Sequence, residues 1–133
     1  MSRITTHVLD TALGKPAAGI AVRLEKEESG GWSEVTTHRT GKSEPRTVRT
    51  EDRGTWVEVN RSVTDGDGRC RDLIENAAAG RYRLIFEVGP YFERLRRTSL
   101  YSEIAIVFTC SGHEHYHLPL LLSDNGYTTY RGS

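Results

Sequence analysis

HYHLPLLLSDNGYTTYRGS, residues 115–133, alternates apolar and polar side chains on both sides of Asp124-Asn125-Gly126. Such alternation around an Asn-Gly pair predicts a β-hairpin, because Asn and Gly tolerate the backbone angles of a tight turn. In the first arm Tyr116, Leu118, Leu120 and Leu122 share one face, which predicts a core side. His113, His115, His117, Pro119 and Leu121 share the other. The second arm runs into Tyr130-Arg131-Gly132-Ser133. Chain ends fray unless they are tied down, so a patterned closing strand with polar residues at its tip implies a task for them.

The same period-two rule, carried back along the chain, predicts further strands. They are ITTHVLDT (4–11), AVRLEKE (21–27), GTWVEVNRSVT (54–64), RYRLIFEV (81–88) and IAIVFTC (104–110). ALGKPAAG (12–19) reads as a loop and TDGDG (64–68) as a strong turn. PYFERLRR (90–97) is the one convincing helical turn, with Pro90 at a helix-start position. Seven or eight short strands and one short helix predict an all-β, antiparallel β-sandwich, not a helical bundle or a doubly wound sheet.

The 133 residues fit one domain with a single modest core. Lys+Arg and Asp+Glu both number 18, so no overall bias points to nucleic acid or a membrane surface. Cys70 and Cys110 lack CxxC spacing and read as two free thiols rather than a disulfide. The opening MSRITTHVLD has no apolar signal core, no apolar run has membrane-spanning length, and Arg131-Gly132-Ser133 is not a peroxisomal tripeptide. A cytoplasmic protein is the resulting expectation. About residues 28–54 the composition turns polar and rich in turn formers, which predicts a loop insertion. Within it Gly30, Trp32, Glu34, Val35 and Thr40 recur 24 positions later as Gly54, Trp56, Glu58, Val59 and Thr64. Two amphipathic strands can echo each other by coincidence, and no chemistry is assigned to the segment.

Strand parity also sorts the polar residues. Ile4, Thr6 and Val8 share one face, while Thr5, His7 and Leu9 share the other. His7 and His117 therefore both leave the core, onto a face that also carries Leu9, Leu121 and Pro119. A face this apolar implies an interface or a cleft. Three uses compete for the histidines. A metal site could draw on His113, His115 and His117, but no nearby carboxylate or cysteine completes a ligand set. Acid–base catalysis needs a group titrating near neutrality, which His supplies. Ordinary hydrogen-bonded surface histidine is the third. Arg69, after TDGDG, is either a solvated side chain or a fork for a planar oxyanion.

THVLD, DGRC, GRYRL before PYF, HYHLPLLLS and the closing YRGS, in that order, resemble the 5-hydroxyisourate hydrolase family, the transthyretin-like enzymes of urate breakdown. The resemblance spans the chain except about 24 residues before Trp56, and makes Trp56 rather than Trp32 the start of the family's strand. It implies a sandwich of two four-stranded sheets and a homotetramer built as a dimer of dimers, with active sites at the dimer–dimer interface. It implies catalytic roles for His7, Arg69, His117 and Ser133, with His115, Tyr130 and Arg131 shaping the site and binding substrate. The implied reaction is hydrolytic opening of the six-membered ring of 5-hydroxyisourate to 2-oxo-4-hydroxy-4-carboxy-5-ureidoimidazoline, without metal or other cofactor. His117 is favoured as the base, with His7 orienting water or protonating nitrogen. Asp124, Asn125 and Ser102 depart from the family pattern. Two other readings stand beside the enzyme: a transthyretin-like carrier of small molecules, and a sandwich serving only as an interaction module.

Overall fold

The computed structural model describes residues 1–28, 32–39, 42–49 and 55–133, with side chains for 1–28 and 55–133. Eleven strands and one helix follow in order: β1 (Ser2–Asp10), β2 (Lys15–Pro16), β3 (Ala21–Glu27), β4 (Trp32–Arg39), β5 (Lys42–Arg49), β6 (Trp56–Val63), β7 (Arg69–Ala77), β8 (Gly80–Glu87), α1 (Val88–Arg94), β9 (Ile104–Cys110), β10 (Tyr116–Ser123) and β11 (Gly126–Thr129).

Two sheets form the sandwich. In the first, β11 pairs with β10, β10 with β1, and β1 with β7, while the two residues of β2 add to the end of β1. The second has the order β6-β3-β8-β9. Between them lies the core predicted from parity: Ile4 and Val8 of β1, Leu118, Leu120 and Leu122 of β10, and Val22, Leu24, Leu84 and Phe86 from the opposite sheet, all buried. Each such side chain contributes roughly 1.5–3 kcal/mol on burial. The outer face of the second sheet instead carries Arg83 on Glu25, Arg81 on Glu27 and Arg23 on Glu87, with the Arg83 guanidinium 4.4 Å from the Trp56 ring centroid. These pairs are half-buried at the sheet's outer face, where water still screens the charges, so the apolar layer sets the stability.

Three details differ from the sequence expectation. The strands are antiparallel except that β1 runs parallel to β10, in register Thr5↔His117 and His7↔Pro119. Local pattern cannot foresee this, because the two strands are joined through most of the chain rather than by a hairpin. The helix starts at Val88, so Pro90 is its third residue, within the first turn where the missing N–H is harmless. Lys15–Pro16, read as loop, pairs with Leu9 and Asp10.

The chain leaves β3 at Glu27 and re-enters the same sheet at Trp56, directly opposite; the Glu28 N–H donates to the Thr55 carbonyl at 3.0 Å. Trp56, not Trp32, thus begins the sandwich strand. Between these points β4 and β5 pair with each other as a separate antiparallel ribbon. The side chains of 29–54, including the first half of the sequence echo, lie outside the described residues.

Helix α1 is locked to the first sheet by a buried carboxylate. Asp10 is fully buried and accepts from the Tyr91 hydroxyl at 2.7 Å, from Arg97 at 2.5 Å and from the Leu13 N–H at 3.1 Å. Arg97 also donates to Asp124 at 2.6 Å, and Leu100 N–H reaches the Asn125 side-chain carbonyl at 3.2 Å. The two turn residues that depart from the family pattern are therefore absorbed by contacts to the segment after the helix. Burial alone would push the Asp10 carboxyl up, but these donors outweigh it and hold it below the usual range.

Candidate active site

The outward face of the first sheet gathers side chains that the sequence holds far apart. His7 on β1 is flanked in register by Arg69 on β7 and Pro119 on β10. Its ring centroid lies 6.5 Å from that of His117. Beside them opens a groove of about 210 Å³ lined by Arg69, His115, His117 and Ser133, with Thr5 and Thr6 at its base and Arg3 and Arg71 also on its wall.

Arg69 is held there by the TDGDG turn. The Asp65 carboxylate accepts from the backbone N–H of Asp67 at 2.9 Å and of Arg69 at 3.0 Å, which also keeps it below the ordinary carboxylate range. Gly68 has φ of 77° and sits so close to β1 that a Cβ would lie 2.4 Å from the Val8 carbonyl oxygen. Only glycine fits both demands, and its own carbonyl accepts from the Val8 N–H at 2.7 Å. The turn thereby delivers Arg69 beside His7.

The tail is held from the other side. Gly132 N–H donates to the His117 carbonyl at 2.7 Å, bringing Ser133 to the groove. Arg131, read from the sequence as shaping the site, donates to the His115 carbonyl at 3.3 Å, lies 3.5 Å from Glu114 and stacks 4.5 Å over the Tyr116 ring. It acts as the clamp that ties the tail to β10. Tyr130 is exposed and is not among the groove-lining residues. His113 is exposed in the turn before β10, so it does not extend the strand face of His117. Among the described residues, no group of three or more His, Cys, Asp or Glu side chains is placed to share a metal ion. Both cysteines are free and buried, and burial pushes the Cys70 thiol up to about 11.

Both histidines are biased toward the neutral state. Burial lowers the His117 pKa, and the charges of Arg69, His7 and His115 lower it further. Burial and then Arg69 lower His7, against the opposing pull of the Asp67 backbone and the Asp65 and Asp67 carboxylates. A groove that pairs neutral imidazoles with guanidinium groups can accept a proton from water while stabilising an oxyanion.

Parity alone could have added Thr5 and Arg3, which share the outward face with His7. Thr5 Oγ1 lies 2.8 Å from His117 Nδ1 and 3.2 Å from His115 Nε2. Arg71 gives no such signal, since its place depends on irregular register between β1 and β7.

A profile of the HIUase/Transthyretin family matches residues 4–132. A 5-hydroxyisourate hydrolase of Salmonella typhimurium is 40% identical over 133 residues, spanning 98% of this chain and 80% of its own. That of Mus musculus is 36% identical over 135 residues, spanning 99% and 96%. Among solved structures, Klebsiella pneumoniae 5-hydroxyisourate hydrolase superposes with a TM-score of 0.69 at 31% identity, covering 100% of this chain and 94% of its own. Sea bream transthyretin in complex with thyroxine gives 0.76 at 28%, covering 98% and 94%. The backbone is thus shared with a 5-hydroxyisourate hydrolase and a transthyretin alike, and the chain belongs to the HIUase/Transthyretin family.

Proposed function

We propose that this chain hydrolyses 5-hydroxyisourate, opening its six-membered ring to give 2-oxo-4-hydroxy-4-carboxy-5-ureidoimidazoline in urate degradation. The observation that carries this reading is that Arg69, His117 and Ser133, from separate segments, line one groove, while His7, outside its lining, lies in register with Arg69 and 6.5 Å from the His117 ring. Relatives named as 5-hydroxyisourate hydrolases, at 35–40% identity over nearly the whole chain, support it over the carrier reading. In this account neutral His117 takes a proton from water as the resulting hydroxide adds to the acyl carbon. Arg69 offsets the charge that develops on the carbonyl oxygen. His7, kept neutral, orients the water, and Ser133 hydrogen-bonds to the water or to an imidazole. His117 then returns the proton to the departing nitrogen. His115 borders the same groove, while Arg131 acts by holding the tail. The steps use side chains alone.

The same reading places the outward face at a subunit boundary. Leu9 and Leu121 stand half-buried beside His7, and Tyr127 is exposed. A homotetramer, as a dimer of dimers, would cover this face and enclose the groove. The test is the ultraviolet decay of freshly generated 5-hydroxyisourate. Added protein should accelerate it in proportion to its concentration, and a decay rate equal to the spontaneous one would refute the reading.

A further inference from the structure

Thr5 sits at a position where its chemistry is over-subscribed. Its side chain is buried, with 6% of the residue exposed. Its single hydroxyl contacts two imidazoles, His117 at Nδ1 (2.8 Å) and His115 at Nε2 (3.2 Å). A hydroxyl owns one proton and two lone pairs. It therefore cannot donate to both rings at once. When both rings are neutral and both contacts are hydrogen bonds, it donates to one and accepts from the other. The two rings are then locked in the same tautomer, both Nδ1–H or both Nε2–H, and the choice decides whether the Nε2 of His117 is bare or protonated.

We propose that Thr5 is a positioning residue that links His117 to His115 in a proton relay and fixes His117 in the tautomer with Nε2 unprotonated. The proposal rests on the hydrolase reading of the groove. In the resting site, His117 Nδ1–H donates to Thr5 Oγ1, and the Thr5 hydroxyl donates to His115 Nε2. The bare Nε2 of His117 takes a proton from the attacking water. The Nδ1 proton passes to Thr5 Oγ1, and the Thr5 proton passes to His115 Nε2. His117 is left neutral with Nε2–H, and the positive charge rests on His115. When the carbon–nitrogen bond breaks, His117 Nε2–H protonates the departing nitrogen and the relay runs back, restoring the starting tautomers. No proton is gained or lost beyond the one that travels from water to nitrogen.

The surroundings favour this transfer. His117 is half-buried beside Arg69, whose positive charge opposes an imidazolium there. In the single chain His115 is more exposed than His117, so the charge is better hydrated there. Moving the proton one hydroxyl outward replaces a poorly solvated cation with a hydrated one.

The test uses the full chain labelled with ¹⁵N-histidine, as wild type, Thr5→Val and Thr5→Ser, read by NMR at neutral pH together with turnover of 5-hydroxyisourate. Wild-type His117 should carry its proton on Nδ1. Thr5→Val, which keeps the shape and removes the hydroxyl, should move that proton toward Nε2. It should also lower kcat about tenfold or more with KM within about twofold. Thr5→Ser should restore both the tautomer and most of kcat, which a merely structural role for the Thr5 methyl would not do. An active wild type with His117 protonated on Nε2, or a Thr5→Val protein with unchanged tautomer and kcat, overturns the relay and leaves the hydrolase reading intact. A wild type with the Thr5-dependent tautomer but no turnover supports the hydrogen-bond arrangement and contradicts the substrate.

Discussion

Gly132 packs directly on His117: its N–H donates to the His117 carbonyl at 2.7 Å, and a Cβ built on it would fall 2.7 Å from His117 Cδ2. That approach is below any ordinary van der Waals separation, so Gly132→Ala must push either the imidazole or the tail aside. Because catalysis is sensitive to displacements of about 1 Å, the variant should lose roughly 10- to 100-fold in kcat. It should melt close to wild type, since Gly132 lies outside the core. Steady-state kinetics beside thermal unfolding check this; unchanged kcat would mean that His117 is not held by the tail.

Arg69 also sets the pH at which the site works. After burial, its charge is the largest influence lowering both His7 and His117. A base held below the ordinary imidazole pKa stays neutral, and active, until the pH drops beneath that lowered value. The acid limb of kcat/KM should therefore lie below pH 6.5 in the wild type. In Arg69→Gln both imidazoles lose a repelling charge, their pKa values rise, and the acid limb moves to higher pH. The rate should also fall by about 10²–10³ as oxyanion stabilisation is lost. A pH–rate profile of the two proteins separates these effects.

Asp10 should make the fold sensitive to acid. Its carboxyl is lowered in the folded state by Arg97, Tyr91 and the Leu13 N–H, despite burial. A depressed folded pKa gives stability that is present above the unfolded pKa and is lost as pH falls through the folded one. Asp10→Asn should cost about 3 kcal/mol at neutral pH, the usual penalty for breaking a buried pair. The gap to wild type should narrow in acid. Urea unfolding at fixed protein concentration, at neutral and acid pH, measures both.

We propose that residues 28–54 are an insertion on a single transthyretin-like domain, because Glu27 and Trp56 already face each other in register. Replacing 29–54 with a short turn should preserve a β-sheet circular dichroism signal, the turnover rate and the number of subunits, read as the light-scattering mass divided by the mass of one chain. For a homotetramer that mass is four times 14.9 kDa in the intact protein. Aggregation or a smaller assembly after deletion would show that the segment supports the interface.

Period-two reading placed the core well. Tyr116, Leu118, Leu120 and Leu122 are buried, as are Tyr82, Leu84, Phe86 and Val88, because strand parity is a local property. The same parity put His7 and His117 on one outward face. What it could not supply was anything set by pairing between distant segments. The parallel β1–β10 register, which brings Thr5 opposite His117, is not encoded in either strand alone. Arg131 illustrates a different limit. A cationic residue in a terminal motif suggests contact with a ligand, but Tyr116 and Glu114 offer its guanidinium a nearer partner. Gly132 was visible only as part of YRGS, and its role follows from a close approach that sequence spacing does not express.

The central claim is that the converged groove is where water opens the ring. The most direct measurement compares wild type and His117→Asn in the ultraviolet decay of freshly generated 5-hydroxyisourate, with circular dichroism confirming that both are folded. The account predicts rapid decay with wild type and loss of most of that acceleration with His117→Asn. Near-equal rates from the two folded proteins would contradict it.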